Sequence, residues 1–441
     1  MLFFISDLHL MDGTAGRHRL EPETFREIFK ELALQARQAT EGLREEEKEI
    51  YLVLLGDIFE LVRSEQWFVR RREGEIIESI DLDDRPWGCT SKKTEQIANK
   101  ILGDIITENK EVLAILSGSE WEELGFPARP ATLYIPGNHD RLCNIYPSLR
   151  KKVIKALELS EKDPTKEFPQ VYDNASYGVL ARHGHEWDSF NFEGDYKSVP
   201  IGDVIAAEIA TKLPLEVEKN IQHLTISKKD KQQITDNFRH LFDVRPMSAI
   251  VPWLSHHVHQ YDDEVQQVFN HSFQQSGKDF LEIPFVQEWI EKHSTFWNPF
   301  DDGHKIKWLG ILLTSFNIAA LRVPLNLYDK LKNLKGLWSF DQYLSGAQKD
   351  LEQSEKISHI LYGHTHNPIQ HTLDMNGKIP RLYLNTGTWR PKIYHALSKN
   401  CFSSHNSITF TILYKKGETR TGKVLTSPIF ETWTGALTEN E

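Results

Sequence analysis

The chain has 441 residues, 39% hydrophobic and 11% aromatic, enough to bury a core and too many for disorder along most of its length. At roughly 100–200 residues per domain it predicts two to three domains, or one enlarged by insertions. The 52 Lys and Arg against 63 Asp and Glu leave a net charge of −11, which argues against non-specific coating of nucleic acid. Cys89, Cys143 and Cys401 are widely spaced and form no CxxC pair. That excludes a disulfide framework and a structural zinc ribbon, and it suits a reducing, cytoplasmic setting.

Met1–Ser6 opens as an apolar run, but Asp7 and His9 break it at once and no basic residues precede it. It predicts a first β-strand rather than a signal peptide. Pro22–Ala39 predicts a helix: Phe25, Ile28, Phe29 and Leu32 recur at helical spacing behind a first-turn proline. Ile50–Leu55, Ala131–Ile135, Tyr177–Arg182, His359–Tyr362 and Arg381–Asn385 read as further strands by length and by β-branched or aromatic content. Val153, Ile154 and Leu157 suggest a short helix, and Ser407–Tyr414 with the turn after it suggests a hairpin. The alternation makes an α/β chain with sheets covered on both faces.

Two stretches break that rhythm. Leu61–Gly125 is charged and helical in character, and carries the basic run Arg70-Arg71-Arg72, expected on a solvated helix face. Glu186–Glu355 is longer and mostly helical, with Ile205, Ile209 and Leu213 at four-residue spacing and a further helix after Pro284. Both look like insertions. The expected organisation is a core first part over 1–185 (with its insertion at about 61–125), a helical cap over 186–355, and a core second part with a C-terminal hairpin over 356–441. Trp308–Leu321, the longest apolar run, is broken by Thr314, Ser315 and Asn317. It falls short of the ~18–20 residues of a spanning helix, so a buried helix and no transmembrane segment are expected.

The chemistry sits at the strand ends. Asp7-Leu8-His9 follows the first strand, and in an extended segment this spacing puts both side chains on one face. Gly56-Asp57-Ile58-Phe59-Glu60 follows the second, Gly137-Asn138-His139-Asp140 the third, His183-Gly184-His185 the fourth and Gly363-His364-Thr365-His366 the fifth. Each motif taken alone reads as well as a cap or a satisfied histidine. Five in succession do not arise by chance. Carboxylate, imidazole and amide oxygen without thiolate suit Mn, Fe, Zn or Ni in a dinuclear hydrolase.

This ordered series resembles the calcineurin-like metallophosphoesterases over roughly residues 1–60, 126–185 and 356–415, and Asn385-Thr386-Gly387-Thr388-Trp389 looks like that family's closing strand and turn. The resemblance implies a four-layer α/β/β/α sandwich with a large helical insertion. It implies two divalent metal ions, manganese first among the candidates. Asp7, His9 and His366 would hold one, Asn138, His183 and His364 the other, and Asp57 both. His139 would donate a hydrogen bond or proton to the ester, with Asp140 orienting it, and His185 would be left for contacts beyond the metals or for substrate. The reaction implied is hydrolysis of a phosphoester by metal-activated water.

Within the family, the Gly56–Glu60 motif and the large insertion look like the UDP-diacylglucosamine pyrophosphatases. The chain departs from them in carrying His139 where they carry Arg, and in its longer insertion. The expected substrate is a phosphodiester, pyrophosphate or nucleotide-like phosphoester. The alternatives are a nuclease acting on DNA or RNA, and a non-catalytic scaffold of the same fold. The insertion is expected to set substrate choice, against an oligomer interface or a protein-docking surface. Ser255-His256-His257-Val258-His259 lacks a strand-end carboxylate and reads as a helix face, and the tryptophans of the insertion read as core.

Overall fold

A computed structural model describes the chain except residues 17–19, 73–74, 88–90, 246–248, 296, 299–300, 316–340, 378, 397–400 and 438–441. It is a mixed α/β structure built on two main sheets. The larger has the strand order Ala131–Ile135, Tyr51–Leu55, Leu2–Ile5, Phe402–Tyr414, Pro391–His395, Val244–Arg245, with Ile429–Leu437 also paired to Phe402–Tyr414. The smaller runs Pro368–Asn376, Ile379–Thr386, His359–Tyr362, Val179–Ala181, Tyr172–Asn174. Leu2–Ile5, Tyr51–Leu55 and Ala131–Ile135 are mutually parallel, as are Val179–Ala181, His359–Tyr362 and Ile379–Thr386.

The strands read as unbroken apolar runs because both of their faces are covered. Leu2, Phe4, Val53, Leu55 and Ile135 of one sheet share a core with Val179, Ala181, Leu361 and Leu384 of the other. Phe3, Ile5, Leu52 and Leu54, pointing the opposite way by the two-residue period, pack with Phe25, Phe29 and Leu32 of the helix Pro22–Ala39. Phe3 sits edge-on to Phe29 at 6.0 Å and stacks on Phe126 at 6.1 Å. Emptying that position as Phe3→Ala would cost ~3–5 kcal/mol. On the far side, Leu180, Ile360, Tyr362 and Tyr383 meet Tyr343, Ala347 and Leu351 of the helix Asp341–Leu351.

Some expectations change. Arg70, Arg71 and Arg72 lie on a strand, Val69–Arg72, paired antiparallel with Glu75–Ser79. Val69, Ile76 and Ile77 favour strands, and Arg70 meets Glu78 across the pair at 3.0 Å. Helices do follow, over Lys92–Glu108 and Lys110–Leu116. Asp302–Ser315 is a helix that packs Leu309 and Leu313 against the core and leaves Trp308 63% exposed, so its described part is one-sided rather than fully buried; the continuation of the apolar run to Leu321, and Trp338, lie outside the described residues. Trp253 and Trp289 are core residues as expected, whereas Trp297 is exposed. After Tyr414 the chain makes the small pair Thr419–Arg420 and Lys423–Val424 before returning as Ile429–Leu437. No helix among the described residues is long and apolar enough to cross a membrane.

The helices of the long inserted stretch divide between two clusters. Ile201, Val204, Phe280, Val286 and Trp289 join the core beneath the larger sheet, while Leu213, Phe238, Trp253, Phe269 and Phe273 form a second cluster that takes in Ile393 of the sheet. The short strand Val244–Arg245 also comes from this stretch and pairs parallel with Pro391–His395. The insertion is thus bonded to the sheet edge as well as packed on it.

Candidate metal centre

The strand ends converge. Asp7, His9 and His366 bring one ligand atom each within 4.8 Å of one another, and so do Asp57, His183 and His364. A third such group, His9, Asp57 and His139, links the two. The backbone takes an unusual course to do this. Asp7, His9, Asp57, His364 and His366 have φ of 52°, 47°, 53°, 65° and 57°, and they are five of the seven non-glycine residues with positive φ among the described residues. Left-handed backbone costs a non-glycine residue about 1–3 kcal/mol and collects at functional sites. Two glycines are required by contact: a Cβ on Gly56, itself at φ 84°, would strike the His183 ring, and one on Gly137 would strike Asp57.

Hydrogen bonds lock the arrangement. Asp7 receives the His364 amide at 3.0 Å and the Ser6 hydroxyl, while the Asp7 amide donates to the Gly56 carbonyl at 3.0 Å. Asp57 Oδ1 receives the His139 amide at 2.8 Å, and its Oδ2 lies 3.1 Å from His183 Nε2. His183 Nδ1 donates to the Leu55 carbonyl at 2.9 Å. His9 Nδ1 pairs with Glu60 Oε2 at 2.9 Å, and His364 Nε2 with Asp188 Oδ2 at 3.0 Å. His366 Nε2 stands 3.0 Å from His9 Nε2 and 3.3 Å from Asp7 Oδ1.

Among the described residues here, Asn138 Oδ1, His183 Nε2 and His185 Nδ1 are buried without a hydrogen-bond partner, and of these His183 Nε2 faces the Asp57 carboxylate. With Nδ1 committed as donor, a neutral His183 turns a lone pair toward the Asp57 carboxylate. Two acceptors face each other, a contact that needs a cation or a proton between them. The donor set therefore fits a divalent cation. Titration tells the same story: burial lowers the His183 imidazole, but Asp57, with Asp7 behind it, raises it further, to about 10. Burial pushes the Asp57 carboxyl up, yet His183, His139 and His9 hold it well below the usual range. Burial lowers His9 to about 4, which leaves a neutral imidazole ready to ligate.

His139 lies beside this cluster, 19% exposed, its ring 4.8 Å from that of His9. Its Nδ1 bonds Glu60 Oε1 at 2.7 Å. Burial lowers this imidazole, but Glu60 and Asp57 outweigh it and raise it to about 9. The orienting part expected of Asp140 passes to Glu60. Asp140 instead accepts from the backbone amides of Gly137 at 2.6 Å, Ile58 at 3.0 Å and Phe59 at 3.4 Å, tying the second and third strand-end loops together. A carboxylate one residue from His139 in sequence is simply spent on its own turn. His185 is buried with its ring 5.4 Å from His183, and burial lowers it to about 4; it joins none of the metal-holding groups among the described residues.

Three contributors were not evident from the motifs. Glu60 sits three residues after Asp57, and that spacing was the available signal. Asp188, five residues past His183, fixes His364 from the start of the insertion and is itself held by Asn191 at 2.9 Å and Tyr343 at 3.2 Å. Arg245 Nη2 donates to His366 Nδ1 at 3.1 Å, and only the pairing of its short strand brings it there. The histidine run 255–259 is a helix face: His257 packs on Trp253 at 4.4 Å and His259 Nδ1 bonds the Ser255 carbonyl at 2.6 Å. No protein-family model matches the chain, and no curated protein matches it.

Proposed function

We propose that this protein is a dinuclear metal-dependent phosphoesterase of the calcineurin-like kind, hydrolysing a phosphodiester, pyrophosphate or nucleotide-like substrate. The observation that carries the reading is the pair of ligand groups meeting at Asp57, with the unpartnered Asn138 Oδ1 and His183 Nε2 buried beside it. Two sheets sharing a core, with helices on both outer faces, agree with the four-layer sandwich.

Asp7, His9 and His366 would hold one cation, Asn138, His183 and His364 the other, and Asp57 both. Cations held there would supply Lewis acidity to phosphoryl oxygens and lower the pKa of a bound water. The chain does the rest. Asp57 keeps its charge because three imidazoles surround it, and this holds the two groups together. Glu60 engages Nδ1 of His139 and holds the ring protonated at neutral pH, which leaves Nε2 to give a proton to the departing oxygen. The strained strand ends and the bonds from Asp140 to backbone amides fix these side chains before substrate arrives.

The test is a metal analysis of the purified protein together with a hydrolysis screen over aryl phosphates, cyclic nucleotides, dinucleotides, nucleotide sugars and short nucleic acids with added manganese. Turnover that disappears on chelation and returns with manganese is expected. A protein that carries two metals and turns over none of these substrates contradicts the proposal and favours a scaffold.

A further inference from the structure

The insertion leaves the core through the short turn His185–Trp187, and a loop carries it on to the helix Ile201–Ile205. Asp188 and Asn191 lie in that loop, and no motif marks either. The buried Asp188 carboxylate accepts on both of its oxygens. Oδ1 takes the Phe190 amide at 3.0 Å, and Oδ2 takes His364 Nε2 at 3.0 Å, Asn191 Nδ2 at 2.9 Å and the Tyr343 hydroxyl at 3.2 Å. An ionised carboxylate has no hydrogen to give, so each of these partners must be the donor.

That sets the direction of everything behind it. An amide side chain donates at one end and accepts at the other. With Nδ2 committed to Asp188, Asn191 turns Oδ1 the opposite way, and Asn138 Nδ2 donates to that oxygen at 3.3 Å. The nitrogen of Asn138 is then committed too, and its Oδ1 is the atom left over. That oxygen is buried and has no hydrogen-bond partner among the described residues. Two amides in series thus pass the polarity of one carboxylate from the strand-end loop of His364 to that of Asn138. Packing holds the middle of the chain in place: the Gly202 amide donates to the Phe190 carbonyl at 2.7 Å, and a Cβ on Gly202 would strike Asn191 Oδ1.

We infer that Asn191 is a positioning residue of the metal centre, which presents the amide oxygen of Asn138, rather than its nitrogen, to the cation shared with His183 and His364. This rests on the two-cation reading above, and it gives the insertion a part beyond the substrate choice expected of it. An amide nitrogen carries two hydrogens and has no lone pair to share, so a cation needs the oxygen. An Asn138 side chain free to turn over would offer the wrong atom part of the time. Asn191 removes that freedom before the cation arrives. Asp188 likewise sets the ring hydrogen of His364 on the outer nitrogen. The root of the insertion therefore orients two ligands of one cation, each from a different strand-end loop.

The test is manganese titrated calorimetrically into four metal-free proteins: the parent, Asn191→Leu, Asn138→Asp and the double variant. Leucine has the branched shape of asparagine and makes neither hydrogen bond. Asn191→Leu should weaken one of the two ions ~10–100-fold, the usual loss for such a partner, and leave the other little changed. A carboxylate offers oxygen whichever way it turns, so in the Asn138→Asp background the same leucine should cost little or nothing. A residue that only holds the shape of its loop would cost as much in both backgrounds. Gly202→Ala, which displaces the Asn191 amide without changing its chemistry, should weaken the same ion and replaces the leucine variant should that one fail to fold. Unchanged affinity in Asn191→Leu, or equal losses in the two backgrounds, overturns the inference and leaves both metal sites standing. A parent protein that binds no manganese overturns the metal reading and the inference with it. Two ions bound, with the loss confined to the Asn138 background, uphold the inference even if no phosphoester is turned over, and only the phosphoesterase reading then fails.

Discussion

The two sides of Asp57 are built differently. On the His183 and His364 side, the outward nitrogen of each imidazole meets an acceptor, the Leu55 carbonyl at 2.9 Å and Asp188 at 3.0 Å. On the other side, His9 follows the same rule through Glu60, but His366 meets a donor, Arg245. An acceptor outside fixes a hydrogen on the outer nitrogen, so the inward nitrogen is the one a cation takes, as a lone pair already in His9 and after loss of its proton in His183. Three imidazoles have their outer nitrogen turned to an acceptor, and one has it turned to a donor. The difference follows the origin of the contacts. Core strands and the root of the insertion build the ready side, and a two-residue strand from deep in the insertion makes the other side conditional. The His183 and His364 site should therefore fill first.

The hardest blow to this comparison is Asp57→Asn, which removes the charge both sides share. It should abolish turnover and leave no more than one metal per chain while the fold survives, because the amide no longer offsets two cations at close range. Elemental analysis and circular dichroism read both. Full metal occupancy with unchanged activity would mean that the two sides do not meet at this residue.

His139→Ala should slow alkyl esters by ~10²–10⁴-fold and p-nitrophenyl esters far less, since an aryl oxide departs without a proton. Comparable losses on both ester types would make His139 a phosphate-positioning residue. Asp188→Asn addresses the ready side alone. Loss of such a partner typically lowers metal affinity ~10–100-fold, and manganese titration should find the tighter ion weakened and the other little changed. An effect on the weaker ion instead would reverse the order of filling.

The smallest effect is on pH. Glu60 and Asp57 raise the His139 imidazole to about 9, so alkyl-ester hydrolysis should fall as pH climbs through that region and the proton is lost. Glu60→Gln removes one of those carboxylates and should move the falling limb to lower pH in the profile of kcat/KM. A limb that stays in place would separate Glu60 from proton donation.

The strand ends were legible in the sequence because each apolar run stops at Asp, Asn or His beside a glycine or another turn-permissive residue. Pro22–Ala39, Ala131–Ile135 and His359–Tyr362 begin and end where the pattern sets them. What lay beyond reading depends on tertiary pairing. Nothing local in Val244-Arg245 announces a strand against Ile393 and Tyr394, so Arg245 could not be assigned to His366. Asp188 acts on a residue 176 positions away. Asp140 seemed the natural partner of its neighbour His139, but three backbone amides claim it. In the paired strands Val69–Arg72 and Glu75–Ser79, charge density masked the β-branched residues that favour a strand.

The central claim is that two cation sites share Asp57 and that a cation bound there takes the place of the proton between Asp57 and His183. Manganese titrated calorimetrically into metal-free protein at neutral pH, in two buffers of different ionisation heat, tests it directly. With His183 raised to about 10, the metal must displace its proton. The account predicts two ions per chain, the first the tighter, with net proton release and an affinity that rises with pH. A single ion, or binding without proton release and without pH dependence, would contradict it.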